Sequence, residues 1–384
     1  MRDLVRVAAL AVAAAALVAA APADRHRPPA QVFDRSASAG DLAAKFDRVL
    51  TEATKSAAGR GFRVGYAIDR LQGENSHIGS FWSDRWIQEL TVADVLAGRS
   101  RPQIAGETGD IRGAAGAALE RIESQGRPEK KVLKELGFFL KYGPGSPPVL
   151  ADVGMSNLDL SFDFEDLPLY WLGKAPEEES LRLVEALFGR NRGEEVREGL
   201  IAAAGCHGTP ALVLPFLEKV LGGDGADDLR KDAAFWIGQQ NDAQGLRLLI
   251  KTARSDRSAE VREGAVFGIS QVELPAAVDE LVALARGADK RDVRKQAVFW
   301  LSQVASKKSG GVLEDIAASD GDLEIREQAV FALSQLENDQ GLEALIRLAR
   351  THRDARIRKK AVFWLGESDD PRALEAIIAI IKGK

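Results

Sequence analysis

A single cysteine, Cys206, stands in the whole sequence, so no disulfide can close within the chain. Set beside Ala203, Ala204 and Gly205, it reads as a small buried filler. Histidine is nearly as scarce. His26, His77, His207 and His352 are scattered, and none pairs with another histidine or cysteine at metal-ligand spacing. No Gly-x-Ser-x-Gly elbow, Walker loop or dinucleotide fingerprint occurs, and Gly113-Ala114-Ala115-Gly116 reads as small residues in a helix. With 52 basic against 57 acidic side chains, the sequence also lacks the concentrated positive charge that phosphate binding needs, so nucleic acid is not an expected partner. These absences lead to the expectation of a chain that is not an enzyme and needs no metal or cofactor.

The N-terminus carries a targeting pattern. Arg2 and Arg6 precede an apolar, alanine-rich run of 15 uncharged positions, residues 7–21, that ends in Ala21-Pro22-Ala23. Crossing a bilayer takes about 20 apolar residues, so residues 1–23 are expected to be a cleaved export signal. The mature chain would then be periplasmic or secreted, without stable membrane insertion. Losing Arg2, Asp3 and Arg6 moves the formal charge from −5 to −6. Residues 24–40, rich in Arg, Pro, Ala and Ser, are expected to be a flexible linker.

Residues 41–164 are expected to form a small α+β domain that caps the rest of the chain. Asp41 resembles an N-cap, with Leu42, Phe46, Val49, Leu50 and Ala53 on one helical face. Phe62-Arg63-Val64-Gly65-Tyr66-Ala67-Ile68 alternates as a strand does, and residues 78–82 are its expected hairpin partner. A helix is expected at 111–123. Strands are expected at 138–142 and 149–164, across the turn signal Gly143-Pro144-Gly145-Ser146-Pro147-Pro148. In the last of them Leu158, Leu160, Phe162 and Phe164 alternate with polar residues.

What the chain has in abundance is one helical pattern. Asp292-Val293-Arg294-Lys295-Gln296-Ala297-Val298-Phe299-Trp300-Leu301-Ser302-Gln303 shows it most plainly, and its arginine recurs as Arg197, Arg230, Arg262, Arg294, Arg326 and Arg358 at steps of 33, 32, 32, 32 and 32. Tyr170-Trp171-Leu172-Gly173 lies one step before Ala202 to Gly205 and reads as an earlier copy. A fixed period of this size means stacked helical pairs, so residues 165–384 are expected to be an α-solenoid of about seven repeats. The fold class is therefore mainly α, with a small α+β domain ahead of the array.

Val261-Arg262 to Ile269-Ser270, Val293-Arg294 to Leu301-Ser302, Ile325-Arg326 to Leu333-Ser334 and Ile357-Arg358 to Leu365-Gly366 share the pattern Val-Arg-x-x-Ala-x-x-x-Leu-Gly/Ser. These units resemble HEAT repeats, especially the short bacterial variety of phycobilisome lyases. The N-terminal region resembles the leading part of exported bacterial HEAT-repeat proteins of unknown function. The first resemblance implies a lyase-like enzyme as an alternative, against which the export signal argues. It implies little else about function, because a solenoid hosts many roles.

Within one unit Val293, Ala297 and Leu301 lie along a line that packs on the partner helix, flanked by Val298 and Trp300. Arg197, Arg230, Arg262, Arg294, Arg326 and Arg358 are expected to form a structural ladder, bonded to carboxylates or helix carbonyls of adjacent units. The residue six after each arginine alternates large and small, as in Trp236, Gly268, Trp300, Ala332 and Trp364. Such alternation suits a tryptophan filling the space left by its small neighbour. Opposite the buried line, Lys295, Phe299 and Gln303 follow at i, i+4 and i+8, as do Phe235 with Gln239, Phe267 with Gln271, Phe331 with Gln335, and Phe363. In HEAT and armadillo families the corresponding helix lines the concave surface, and armadillo repeats carry an aromatic and an amide there for extended peptides. The resemblance thus implies a peptide or protein partner on this row, with the rings holding side chains and the amides bonding backbone. The other reading buries the phenylalanines between units. A third role, envelope assembly through the array end, is suggested by Ile377, Ile378, Ile380 and Ile381 in the last helix.

Overall fold

A computed structural model describes residues 27–56, 59–74, 76–79, 90–99, 130–223, 225–304, 309–336 and 339–382. The export segment at 1–23, the helix expected at 111–123 and most of the hairpin partner expected at 78–82 lie outside them. The chain divides into two compact units, Met1–Ala175 and Pro176–Lys384.

The first unit is built on five strands. These are β1 (Val32–Asp34), β2 (Phe62–Gly73), β3 (Lys131–Tyr142), β4 (Leu150–Asn157) and β5 (Leu169–Lys174), in the order β1-β5-β2-β3-β4. β5 runs parallel to both β1 and β2, while β2, β3 and β4 form an antiparallel meander. Helix α1 (Leu42–Ser56) covers one face, where Phe46, Phe62, Tyr142 and Tyr170 meet ring to ring. On the other face Ala67, Phe139, Leu158, Phe164 and Leu169 form a cluster with Val92, which opens the short α2 (Val92–Leu96).

Arg63, on β2, lies under this second face and is only 2% exposed. Its guanidinium meets Glu165 at 2.5 Å and Asp152 at 3.6 Å, with the Phe162 ring 5.2 Å away. Lys141 holds the other oxygen of Glu165 at 2.6 Å.

Three expectations change here. The supposed linker contributes β1, because Val32 and Phe33 complete the edge of β5 and the Phe33 ring stacks on Tyr170 at 4.7 Å. β4 stops at Asn157 instead of running to residue 164. Beyond it Leu158 and Phe164 still point into the core. The polar residues between them serve a turn: Asp163 accepts the Glu165 N–H at 2.8 Å, and Glu165 and Asp166 are both left-handed, at φ 57° and 56°. β3 begins at Lys131, seven residues before the expected strand, because its first half pairs with an outer stretch of β2 where charge is tolerated.

The second unit holds thirteen helices among the described residues. Six pairs run α3 (Glu177–Arg190) with α4 (Glu194–Gly205), α5 (Pro210–Leu221) with α6 (Asp227–Gln239), α7 (Ala243–Ser255) with α8 (Ala259–Gln271), α9 (Pro275–Gly287) with α10 (Arg291–Gln303), α11 (Ser309–Ser319) with α12 (Leu323–Ser334), and α13 (Asp339–Thr351) with α14 (Ala355–Gly366). α15 (Pro371–Ile381) is the thirteenth. Tyr170-Trp171-Leu172-Gly173 is not an earlier copy of the repeat. It is β5, whose Tyr170 and Leu172 are buried in the sheet unit. Over four residues an apolar stretch ending in glycine cannot separate a period of 2 from one of 3.6.

Helix starts follow local chemistry. Asp242, Asp322, Asp354 and Asp370 each accept a first-turn N–H, and an acid lies in the first turn of α4, α6, α8, α10 and α12, where the helix dipole favours it. Val293, Ala297 and Leu301 are fully buried along one line of α10, as their spacing predicts. The second helices of successive pairs pack directly on one another from α4 through α14, more closely than the first helices do. Glycine makes this possible: any side chain at Gly238 would overlap the Gly268 carbonyl, and one at Gly268 would lie 2.7 Å from the Ala234 oxygen.

Candidate binding face on the second helices

Each ladder arginine leaves the first turn of a second helix. Arg230 donates from Nε to the Leu221 carbonyl at 3.0 Å, closing the end of α5, and from its terminal nitrogens to Asp227 and to Asp256 beyond α7. Arg262 donates to Asp292 at 2.8 Å and to the Asp256 carbonyl at 2.8 Å. Arg294 pairs with Asp320, Arg326 with Asp354 at 3.4 Å, and Arg358 donates to the His352 carbonyl at 2.7 Å. Arg197 differs, lying over the Phe188 ring at 4.1 Å. Arg230, Arg262, Arg294 and Arg326 thus reach a carboxylate in the following unit, and Arg230, Arg262 and Arg358 cap a carbonyl near the end of the preceding first helix. Charge-assisted bonds of this kind are among the stronger ones available.

The phenylalanines are neither free nor sealed. Phe235, Phe267, Phe299 and Phe331 are partly buried, and Phe363 is 55% exposed. Phe235 stacks on Phe267 at 5.7 Å, Phe267 on Trp300 at 4.7 Å, and Trp300 meets Phe299 edge-on at 5.0 Å. Further along, Trp364 touches Phe331 at 5.1 Å and Phe363 at 5.0 Å. Trp236 leans onto Gly205 of the preceding helix and meets Phe235 at 5.2 Å. The tryptophans, read from the sequence as flanking the buried line, are therefore part of the aromatic file. They alternate because each leans on the preceding helix; the signal was their position directly after the phenylalanines.

The amides are tied at one end. In α8, α10 and α12 the last serine donates to the phenylalanine carbonyl one turn back, at 2.7 Å each time. The amide nitrogens of Gln271, Gln303 and Gln335 donate to those same serines, at 3.0, 2.9 and 3.1 Å. Their carbonyl oxygens have no hydrogen-bond donor among the described residues. Gln239 has no such serine; its neighbour Gln240 donates to the Gly205 carbonyl at 2.9 Å. Lys295 lies 3.6 Å from Glu324 of the next second helix.

Charge is unevenly spread over this face. Glu195, Glu198, Asp228, Asp232, Glu260 and Glu263 on α4, α6 and α8 stand against Lys231, which lies 2.7 Å from Asp228 and 3.6 Å from Glu260. On α14 the corresponding positions hold Arg356, Lys359 and Lys360. Burial, then the charges of Glu198 and Asp228, push the Asp232 carboxyl up to about 6, against the pull of Lys231. Burial and the charges of Glu194, Asp228 and Glu195 likewise raise Glu198. This cluster was not read as a site in the sequence, where its three pairs of acids lie a whole repeat apart.

Elsewhere a cavity of about 550 Å³ opens on the first helices, beside Arg286, Gly310, Glu314 and Arg347. Its arginines are already paired, Arg286 with Asp315 at 2.9 Å and Arg347 with Glu314 at 2.7 Å. Among the described residues no group of three or more His, Cys, Asp or Glu is placed to hold a metal ion, and no helix is long and apolar enough to cross a membrane.

Helical pairs stacked at one period, with a laddered aromatic face on one layer, define an α-solenoid consistent with a scaffold for protein–protein interaction. Residues 214–302 and 310–384 match the family model of HEAT repeats. The chain is also similar to human deoxyhypusine hydroxylase, with 16% identity over 52% of this chain and 77% of that one and a TM-score of 0.30. It is similar to the complex of CpcE and CpcF of phycocyanin lyase from Nostoc, with 19% identity over 40% and 97% and a TM-score of 0.31. The condensin Cnd3–Cnd2 subcomplex of S. pombe gives 17% identity over 54% and 31%, with a TM-score of 0.32. No curated protein matches the sequence.

Proposed function

We propose that the face lined by α4, α6, α8, α10, α12 and α14 holds an extended peptide or a segment of another protein, and that the chain acts as an exported, non-enzymatic scaffold. The observation that carries this reading is the aromatic file: rings on α6, α8 and α10 touch in turn, as do those on α12 and α14, yet keep part of their surface in water, which suits holding a partner's side chains. Beside them run amide oxygens able to accept a peptide N–H. Replacing Phe299→Ala together with Phe331→Ala is expected to abolish capture of the partner from envelope extract while leaving the helical signal and its melting transition in place. Unfolding of that variant would assign the rings to the core and remove the reading.

A second reading, self-assembly, is favoured by Leu374, Ile378 and Ile381, which α15 exposes at 62%, 40% and 79% along one stripe. Light scattering across a concentration series tests it, and a strict monomer would remove it.

A further inference from the structure

Accepting the groove reading above, we infer that its N-terminal half, on α4, α6 and α8, selects a lysine- or arginine-bearing extended peptide, whose cations lie between Glu198, Asp232 and Glu263 and the aromatic file. Asp232 lies three residues before Phe235 and four before Trp236, so carboxylate and rings share one face of α6. Glu198 and Asp232 are half-buried and make no ion pair among the described residues, and Glu263 accepts the Gln296 amide N–H at 3.1 Å, whereas the neighbouring Asp228 and Glu260 share Lys231. A long cationic side chain satisfies both halves of this surface: its methylenes and charge lie against ring faces, and its head reaches the unpaired carboxylates. The basic end on α14 disfavours the same ligand, which places the cations at the α4 end.

Burial and mutual repulsion push Asp232 up to about 6, so its charge is lost as pH falls through that value and the site weakens. The groups that act on it are Glu198 on α4 and Asp228 and Lys231 on α6. A bound cation relieves the repulsion, so the ligand is expected to raise the melting temperature more at pH 8 than at pH 5.

Selection of random dodecapeptides displayed on phage, with the full chain as bait at pH 7.5, tests the inference. The expected outcome is enrichment of lysine and arginine. The affinity of a selected peptide, by fluorescence anisotropy, should fall at least about tenfold on Glu198→Gln with Asp232→Asn, and similarly when its own lysines become glutamine. Lys359→Gln should leave it within about twofold. Binders without cationic enrichment that are still lost in the Phe299→Ala, Phe331→Ala variant would overturn this inference and leave the groove standing. Selected peptides unmoved by the double acid variant would do the same. Recovery of no binder at all would overturn both.

Discussion

Arg63 and Arg262 are both nearly hidden from water, yet the two units hold them in opposite ways. Arg63 reaches Glu165, 102 residues along the chain, and packs against Phe162 from the same distant loop. Arg262 reaches Asp292, 30 residues on, and the Asp256 carbonyl, six residues back. The sheet unit is closed by contacts between distant parts of the sequence; the array is closed within about one repeat at a time. A fault in the first should open the whole unit, while a fault in the second should be felt chiefly by neighbouring pairs.

Arg63→Ala puts the largest stress on that contrast, since it removes an almost wholly buried guanidinium that bonds Glu165 and packs on the Phe162 ring, at a cost of about 3 kcal/mol. Hydrogen exchange is expected to show all five strands deprotected together while the array stays protected; equal loss in the array would break the comparison. Arg262→Ala should cost less, about 2 kcal/mol, because its guanidinium is less deeply buried than that of Arg63, at 10% against 2% exposed. Faster exchange is expected in α7 to α10 only, and its spread to α14 would contradict nearest-neighbour behaviour.

Asp232→Asn sharpens the comparison in the other direction. A carboxyl whose value is raised from 3.8 to about 6 on folding is destabilising once ionised. That penalty is absent below its ordinary value, grows as pH rises through the interval and is complete above it. The substitution should therefore stabilise the array by on the order of 1 kcal/mol at pH 8, after solvent screening, and by nothing measurable at pH 3.5. Urea titrations at both values check the sign. Lys295→Ala, which removes a loose exposed pair with Glu324, is expected to shift stability by about 0.3 kcal/mol at most. A larger change would mean the face is load-sharing between units.

The same contrast governs what could be read from sequence alone. Arg230, Arg262 and Arg294 announced the array because they themselves recur at one step and each finds its acid within a repeat, 26, 30 and 26 residues on. Phe299 and Trp300 were visible too, but whether they touch Phe267 or Phe331 depends on how far each helix is rotated, which spacing does not state. In the sheet unit the charged first half of β3 and the turn at Glu165 were misread because their strand partners lie in distant sequence, where no local pattern records the pairing.

By itself the sequence determined the helical period, the buried line through Val293, Ala297 and Leu301, and the positions of the arginines, all of which rest on interactions within a few turns or one repeat. Tertiary structure alone decided that β1 and β5 complete a sheet, that Arg63 is buried beneath Glu165, and that Glu198 and Asp232 crowd one end of an aromatic file. Those outcomes depend on which backbone faces meet in space, and chain order does not encode that locally.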